Sequence, residues 1–208
     1  MKKISQFETL KIINHYPLLQ KGFAYFINHN TGISNPYHNI THTMAMLQLV
    51  NECIAESGYN GDREKLLLLT LFHDYNHSGG KYSDDTNVEN AISGLEHFLK
   101  ENGLTLTKEQ SEALWDTCFP YKGEPKSLEG RILRECDNLQ WTFDDFFTQT
   151  LIGLKTELNV SIFETAIRRE LEFVEESAKH LTLKYTTTVA QQYLPELRDY
   201  CDELLKTI

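Results

Sequence analysis

Residues 66–72 read Leu-Leu-Leu-Leu-Thr-Leu-Phe, and His73, Asp74 and, one turn on, His77 follow at once. A helix this apolar has no polar face to offer to water, so it must be a central helix enclosed by others. The run is far short of the roughly 20 residues that a membrane span needs. It is therefore the inside of a water-facing fold. A buried helix that finishes in three ionisable groups needs an explanation, because burying unpaired charge is costly.

The rest of the chain supplies the enclosing elements. Helical periodicity predicts helices over 5–29, 37–57, 63–76, 86–102, 108–118, 127–139, 142–157, 160–180 and 187–206. Asn35-Pro36 reads as an N-cap followed by proline at the first helical position of the second helix. In that helix His42, Ala45, Met46, Leu49, Val50 and Cys53 share one inward stripe, with His38 one turn earlier on the same stripe. Only Leu181–Thr188, reading LTLKYTTT, has β-type composition, and a lone strand builds no sheet. The fold class expected is all-α, with 1–208 as a single domain.

Composition narrows the function. Against 20 Lys and Arg stand 30 Asp and Glu, a formal net charge of −10. Such a surface repels long nucleic acids and anionic membranes. A small phosphate ester could still be held if metal ions reverse the field locally. Cys53, Cys118, Cys136 and Cys201 are far apart and form no CxxC pair, so they read as buried thiols of a reducing compartment. The opening MKKISQFETLKIINHY has no unbroken apolar stretch of the kind a signal peptide carries. A cytoplasmic location is expected, and a homodimer is kept as a candidate assembly.

Two clusters carry the chemistry, NPYHNITH (35–42) and HDYNHSGG (73–80). His38 and His42 are i,i+4, as are His73 and His77, so each pair projects to one side of its helix. If the third helix, over 63–76, runs on through Asn76, His73, Asp74 and His77 reach one pocket, which Gly79-Gly80 then approaches closely. Imidazoles and a carboxylate facing one another across packed helices repel if charged and go unsatisfied if neutral. A divalent cation resolves both problems, and Zn, Mn, Fe or Ni suits these donors. A further anionic ligand is wanted, and Asp137 in LEGRILRECDNLQW is the best placed, on the apolar face marked by Leu133. The set is His42, His73, Asp74 and Asp137, with positions left open for water and substrate.

His42, then His73-Asp74 after 31 residues, then Asp137 after 63 more, resembles the HD-domain superfamily of metal-dependent phosphohydrolases. YHNITH followed by HDYNHSG is similar to the YHNxxH and HDxxHxG motifs of cyclic-nucleotide phosphodiesterases, over roughly residues 35–140. The resemblance implies an HD-domain helical bundle around a metal site, with the C-terminal helices completing the pocket. It implies that Asp74 bridges to a second cation, often Mg or Mn, and that His38 protonates the leaving oxygen. His77 would lie beside the second cation, and a water readied between two cations would attack phosphorus in line. The substrate implied is a phosphodiester of a small nucleotide, such as a cyclic nucleotide or a short cyclic oligonucleotide. Three departures stand out: Tyr82 where the family has Asn, Asn76 where it has an acidic residue, and an earlier chain end. Gln191 or Gln192 falls where those enzymes carry a purine-binding Gln.

Other candidates are weighed against plainer roles. Lys81, Lys122, Arg131 and Arg134 are candidate phosphate contacts, although solvated faces are the default for such residues. Trp115, Phe119, Tyr121 and Trp141 could stack on a base, with core packing the commoner fate. Asp84 and Asp85 rival Asp137, and either could line the pocket. His97 could extend the ligand set, as an alternative reading, an HD-fold di-iron oxygenase, would require. A third reading is a nucleotide-binding HD protein without turnover. His15, His29 and His180 read as surface or capping residues.

Overall fold

The computed structural model describes residues 1–117, 123–157, 159–160 and 162–208. Along these residues run α1 (Gln6–His15), α2 (Pro17–His29), α3 (Ile40–Glu56), α4 (Arg63–Phe72) and α5 (Asp84–Glu101). They continue with α6 (Lys108–Trp115), α7 (Leu128–Asp137), a 3-10 turn (Gln140–Thr142), α8 (Asp144–Glu157), α9 (Phe163–Lys179) and α10 (Lys184–Lys206). Among the described residues the only β pairing is two isolated bridges, Lys2 with Phe143 and Ser34 with Asn39, so the fold is all-α. Most helix starts are set locally: the side chains of Ser5, Asn39, Asp62, Ser83, Thr107 and Ser127 each accept from a backbone N–H of the first turn.

Helix α4 is the axis. Every residue from Leu66 to Phe72 is buried, and α2, α3 and α5 pack around it. At Gly22 of α2, an added Cβ would stand 2.7 Å from Leu68 Cδ1, so the bare backbone lets the two helices close. Helix α3 lies between α4 and α7 and buries His42, Ala45, Met46, Leu49, Val50 and Cys53, the stripe read from the sequence. One hydrophobic cluster runs from Ile13 of α1 to Cys201 of α10. No described helix is long and apolar enough to cross a membrane.

Four local expectations are corrected. The helix expected over 5–29 is two helices, because Pro17 has no N–H to donate and its ring crowds the preceding turn. Tyr16, at φ −117° and ψ 116°, makes the break. The second helix starts at Ile40 with Asn39 as its cap, not at Asn35-Pro36. Asn35 is used elsewhere, its amide donating to the His77 carbonyl at 2.6 Å. Helix α4 ends at Phe72 rather than running through Asn76, and His73 to Asn76 form a turn whose last residue has a φ of 56°. Finally, Lys184–Thr188 of the β-type segment is the first turn of α10. Its Thr186 and Thr187 hydroxyls donate back to the Leu183 carbonyl at 3.0 and 2.9 Å, and tertiary contacts override propensity there.

Candidate metal centre

Three elements aim donors at one point. Asn39 caps α3 by accepting from Thr41 and His42 N–H, which fixes where the first turn begins and so where His42 stands. His73 follows α4 directly, and its Nδ1 lies 2.7 Å from the Thr70 carbonyl. That contact makes Nδ1 the protonated nitrogen and leaves the Nε2 lone pair facing the site. Asp74 is next in the turn, and Asp137 ends α7.

His42 Nε2 lies 3.0 Å from His73 Nε2, 2.7 Å from Asp74 Oδ2 and 3.5 Å from Asp137 Oδ1. His73 Nε2 lies 3.3 Å from the same Asp74 oxygen. Two imidazole nitrogens this close share either a proton or a cation. Around an octahedral ion with ligands at about 2.1 Å, adjacent donors stand about 3.0 Å apart, and around a tetrahedral one about 3.4 Å. The observed spacings span those edges. Asp74 Oδ2, which borders the point, is buried without an aligned hydrogen bond, as are His42 Nδ1 and Gln140 Oε1 of the residues around it. The donor set therefore fits a divalent cation and is poorly served without one.

The electrostatics agree. Burial alone would push the His73 imidazole down, but the negative charges of Asp74 and Asp137 carry it up to about 9. Burial would push the Asp74 carboxyl up, and the imidazoles of His73, His38 and His42 hold it well below its ordinary range. The pocket thus draws positive charge to itself.

Beside this set lies a second one. His38, Asp74 and His77 each offer a ligand atom within 4.8 Å of the others. The His38 and His77 rings stack with centroids 3.5 Å apart. His77 is held from two sides: Gly79 N–H donates to Nδ1 at 3.2 Å, and the Asn87 amide lies 3.0 Å from Nε2. A hollow of about 160 Å³ opens between the two sets, with His38, His77, Asp84 and Asp137 among its walls. A larger cleft of about 330 Å³ adjoins it and shares His38, His77, Asp84 and Asn87.

The structure thus gathers His38, His42, His73, Asp74, His77 and Asp137. Asp84 joins them at the wall of the hollow, whereas Asp85 lines neither cavity. Lys81 is exposed on the rim loop, between Gly80 and Tyr82 of the cleft wall. Gln191 and Gln192 are exposed on α10 and line neither the hollow nor the cleft. Arg131 donates to the Thr182 hydroxyl at 2.7 Å, and Arg134 donates to the carbonyls of Asp116 and Gly123, so both brace loops. Trp141 is buried in the core, and Trp115 packs against it. His97 is two-thirds exposed and pairs with Glu101 at 3.3 Å, so it adds nothing to the ligand set. Cys118, Phe119, Tyr121 and Lys122 lie outside the described residues.

Two departures from the family motif acquire a structural meaning. Asn76 sits in the left-handed region, which asparagine tolerates. It ties the turn to the 30–31 loop: its Oδ1 accepts from Thr31 N–H at 2.7 Å and its N–H donates to Asn30 at 2.9 Å. Tyr82 stands at the cleft, and Asn87 is the asparagine that meets the second set. Sequence reasoning missed Asn87, and it missed Gln140, whose amide reaches Asp137 Oδ1 at 3.1 Å and His42 Nε2 at 3.3 Å. Neither lies in a local motif. Both come to the site only through the packing of α5 and of the 3-10 turn.

Comparison with known proteins agrees with this geometry. No curated protein matches the chain. A crystal structure of a Lactobacillus plantarum protein, a structural-genomics target, is similar with a TM-score of 0.65 at 14% identity. It covers 90% of this chain and 96% of its own, and at that identity the likeness is one of fold. The HD domain family model matches residues 39–142, half of the chain and the stretch from the Asn39 cap through Asp137 to the 3-10 turn. The chain belongs to the HD-domain family.

Proposed function

We propose that this protein is a metal-dependent phosphodiesterase acting on a small nucleotide, a cyclic nucleotide or a short cyclic oligonucleotide. The observation that carries the reading is the crowding of His42, His73, Asp74 and Asp137 donors at cation-edge spacings beside a hollow. Divalent cations bound there would supply positive charge against phosphoryl oxygens and make a water more acidic. His42, His73, Asp74 and Asp137 would hold one ion, with Asp74 shared toward the His38–His77 side.

The remaining work falls to the chain's own groups. His38 lines both the hollow and the cleft, so it stands at the junction where an ester oxygen would leave. An imidazole there can give that oxygen a proton, which an alkoxide leaving group needs and the anionic oxygens of phosphorus do not. His77, fixed by Gly79 and Asn87, packs against the His38 ring and limits its rotation. Thr70, through His73 Nδ1, keeps that imidazole's lone pair turned inward.

The test is release of linear product from cyclic mono- and dinucleotides with Mn²⁺, comparing wild type with His38→Ala and Asp74→Ala. Loss of turnover in both variants is expected, with the ion held by His42, His73 and Asp137 lost only in Asp74→Ala. An Asp74→Ala protein that hydrolyses as fast as wild type would end this reading.

A further inference from the structure

The cleft beside the hollow contains two polar groups that the reaction does not use. Glu170 of α9 is 7% exposed and makes no hydrogen bond or ion pair among the described residues. Thr150 of α8 is 6% exposed, and its hydroxyl is buried without a partner. Both line the cleft. A carboxyl with little access to water and a buried hydroxyl without a partner each cost free energy in the free protein. Burial holds the Glu170 carboxyl up to about 7.

The same walls present flat apolar surface. Tyr82 and Phe173 both line the cleft, and the two residues are 61% and 47% exposed. Large rings facing solvent at the edge of a cavity are where a planar ligand stacks. At Gly153 an added Cβ would stand 2.8 Å from Tyr37 Cβ. Gln149, four residues before it, donates to the Tyr37 carbonyl at 2.6 Å. Helix α8 is thus fastened against the loop that carries His38, and Thr150 is held at a set distance from the reacting centre. A volume of about 330 Å³ lies within the range of small-ligand sites.

We propose that this cleft is the base subsite of the substrate, and that Glu170 with Thr150 reads a guanine-type edge stacked on Tyr82 or Phe173. Guanine offers two adjacent N–H donors, the ring N1–H and the exocyclic amine, and one carboxylate accepts both through its two oxygens. Adenine offers one donor and one acceptor on the same edge and leaves an oxygen of the carboxylate facing a lone pair. A buried polar group left unpaired by the wrong ligand is what discriminates in such sites. The inference deepens the phosphodiesterase reading and rests on it for the orientation of the phosphate.

The test is calorimetric titration of the 208-residue chain at about pH 8, where the Glu170 carboxyl is ionised, with Mn²⁺, by 5′-GMP and 5′-AMP, which needs no turnover. Wild type is expected to bind GMP at least about tenfold more tightly than AMP. Glu170→Gln, whose amide both donates and accepts, is expected to move that ratio toward AMP by about tenfold or more. Thr150→Val is expected to shrink it. Because the readout is a ratio, a variant that is partly unfolded lowers both affinities and leaves the ratio to report on the subsite. Equal affinities in wild type, or a preference that survives both substitutions, overturns the proposal. A protein that prefers GMP yet hydrolyses no phosphodiester keeps the subsite and loses the catalytic reading. One that hydrolyses diesters of every base equally does the reverse.

Discussion

Within four residues, α7 treats charged side chains in two opposite ways. Glu135 accepts from the Thr182 N–H and hydroxyl at 3.0 and 2.7 Å, from the Leu183 N–H at 3.0 Å, and from the Thr186 hydroxyl. It thereby serves as the cap of α10, whose own Leu183 position has no side chain to offer. Beside it, Arg134 gives its hydrogens to the carbonyls of Asp116 and Gly123. Two residues later Asp137, partly exposed, accepts one hydrogen bond from the Gln140 amide at 3.1 Å and otherwise faces the donors of His42, His73 and Asp74 at the candidate cation site. The first pair holds the fold together. The second set is incomplete as protein, and its incompleteness has the dimensions of a cation. Glu135 is thus given over to holding α10, whereas Asp137 faces donors set at cation-edge spacings.

The largest effect should come from the crowded set. Asp74→Asn is expected to cut the proposed phosphodiester hydrolysis by about 10³-fold or more, since it weakens the carboxylate that meets both histidine clusters. Product release together with metal content by mass spectrometry checks it. The satisfied pair should respond in stability instead. Glu135→Ala strips the first turn of α10 of its acceptor and is expected to cost about 3–4 kcal/mol in urea unfolding. Its folded fraction should still bind metal at the wild-type stoichiometry. If Glu135→Ala instead abolished metal binding in folded protein, the division between the two regions would break.

Glu170 sharpens the comparison, because it has neither protein partner nor a place among the ligands. Its carboxyl is raised from 4.5 to about 7 by burial, so the folded state holds its proton more tightly than the unfolded state does. That contribution to stability is complete below about pH 4.5 and is lost as pH rises through about 7. Glu170→Gln should therefore gain on the order of 2–3 kcal/mol relative to wild type at pH 8 and nothing at pH 4.5. Urea midpoints at the two pH values decide it, and a gain equal at both would show that the carboxyl is not held up. The smallest effect expected is Gln140→Ala, which removes the amide beside Asp137 and His42. Metal affinity should fall by about 10–100-fold while the fold is kept, as read by competition with a chelator.

Much of the site could be read in advance, for a reason particular residues make clear. His73 and Asp74 are adjacent in the chain, and the apolar run before them announces that they are carried into the interior. His42 lies on a stripe whose period declares its inward face. What could not be read was how each helix ends. Asn39 rather than Asn35 caps α3, so His38 precedes the helix instead of riding on it, and it meets His77 face to face. Asn76 in the left-handed region ends the turn that delivers Asp74, and nothing in its neighbours' periodicity signals that. Tyr75 packs on the bare backbone of Gly94 in α5, a close approach that only the assembled helices reveal.

The amino-acid order by itself determined the helical class, the central position of α4 and the identity of the donors that meet at the candidate cation site, because periodicity and adjacency are local properties. Tertiary structure alone decided which polar groups find partners. Glu135 is satisfied by residues 47 and more positions away, and Gln140 reaches His42 across 98 positions. Glu170 and Thr150 are brought to one cleft by the packing of α8 on α9. Hydrogen bonds act over about 3 Å, so whether a buried charge is complete depends on folded neighbours that no stretch of sequence contains.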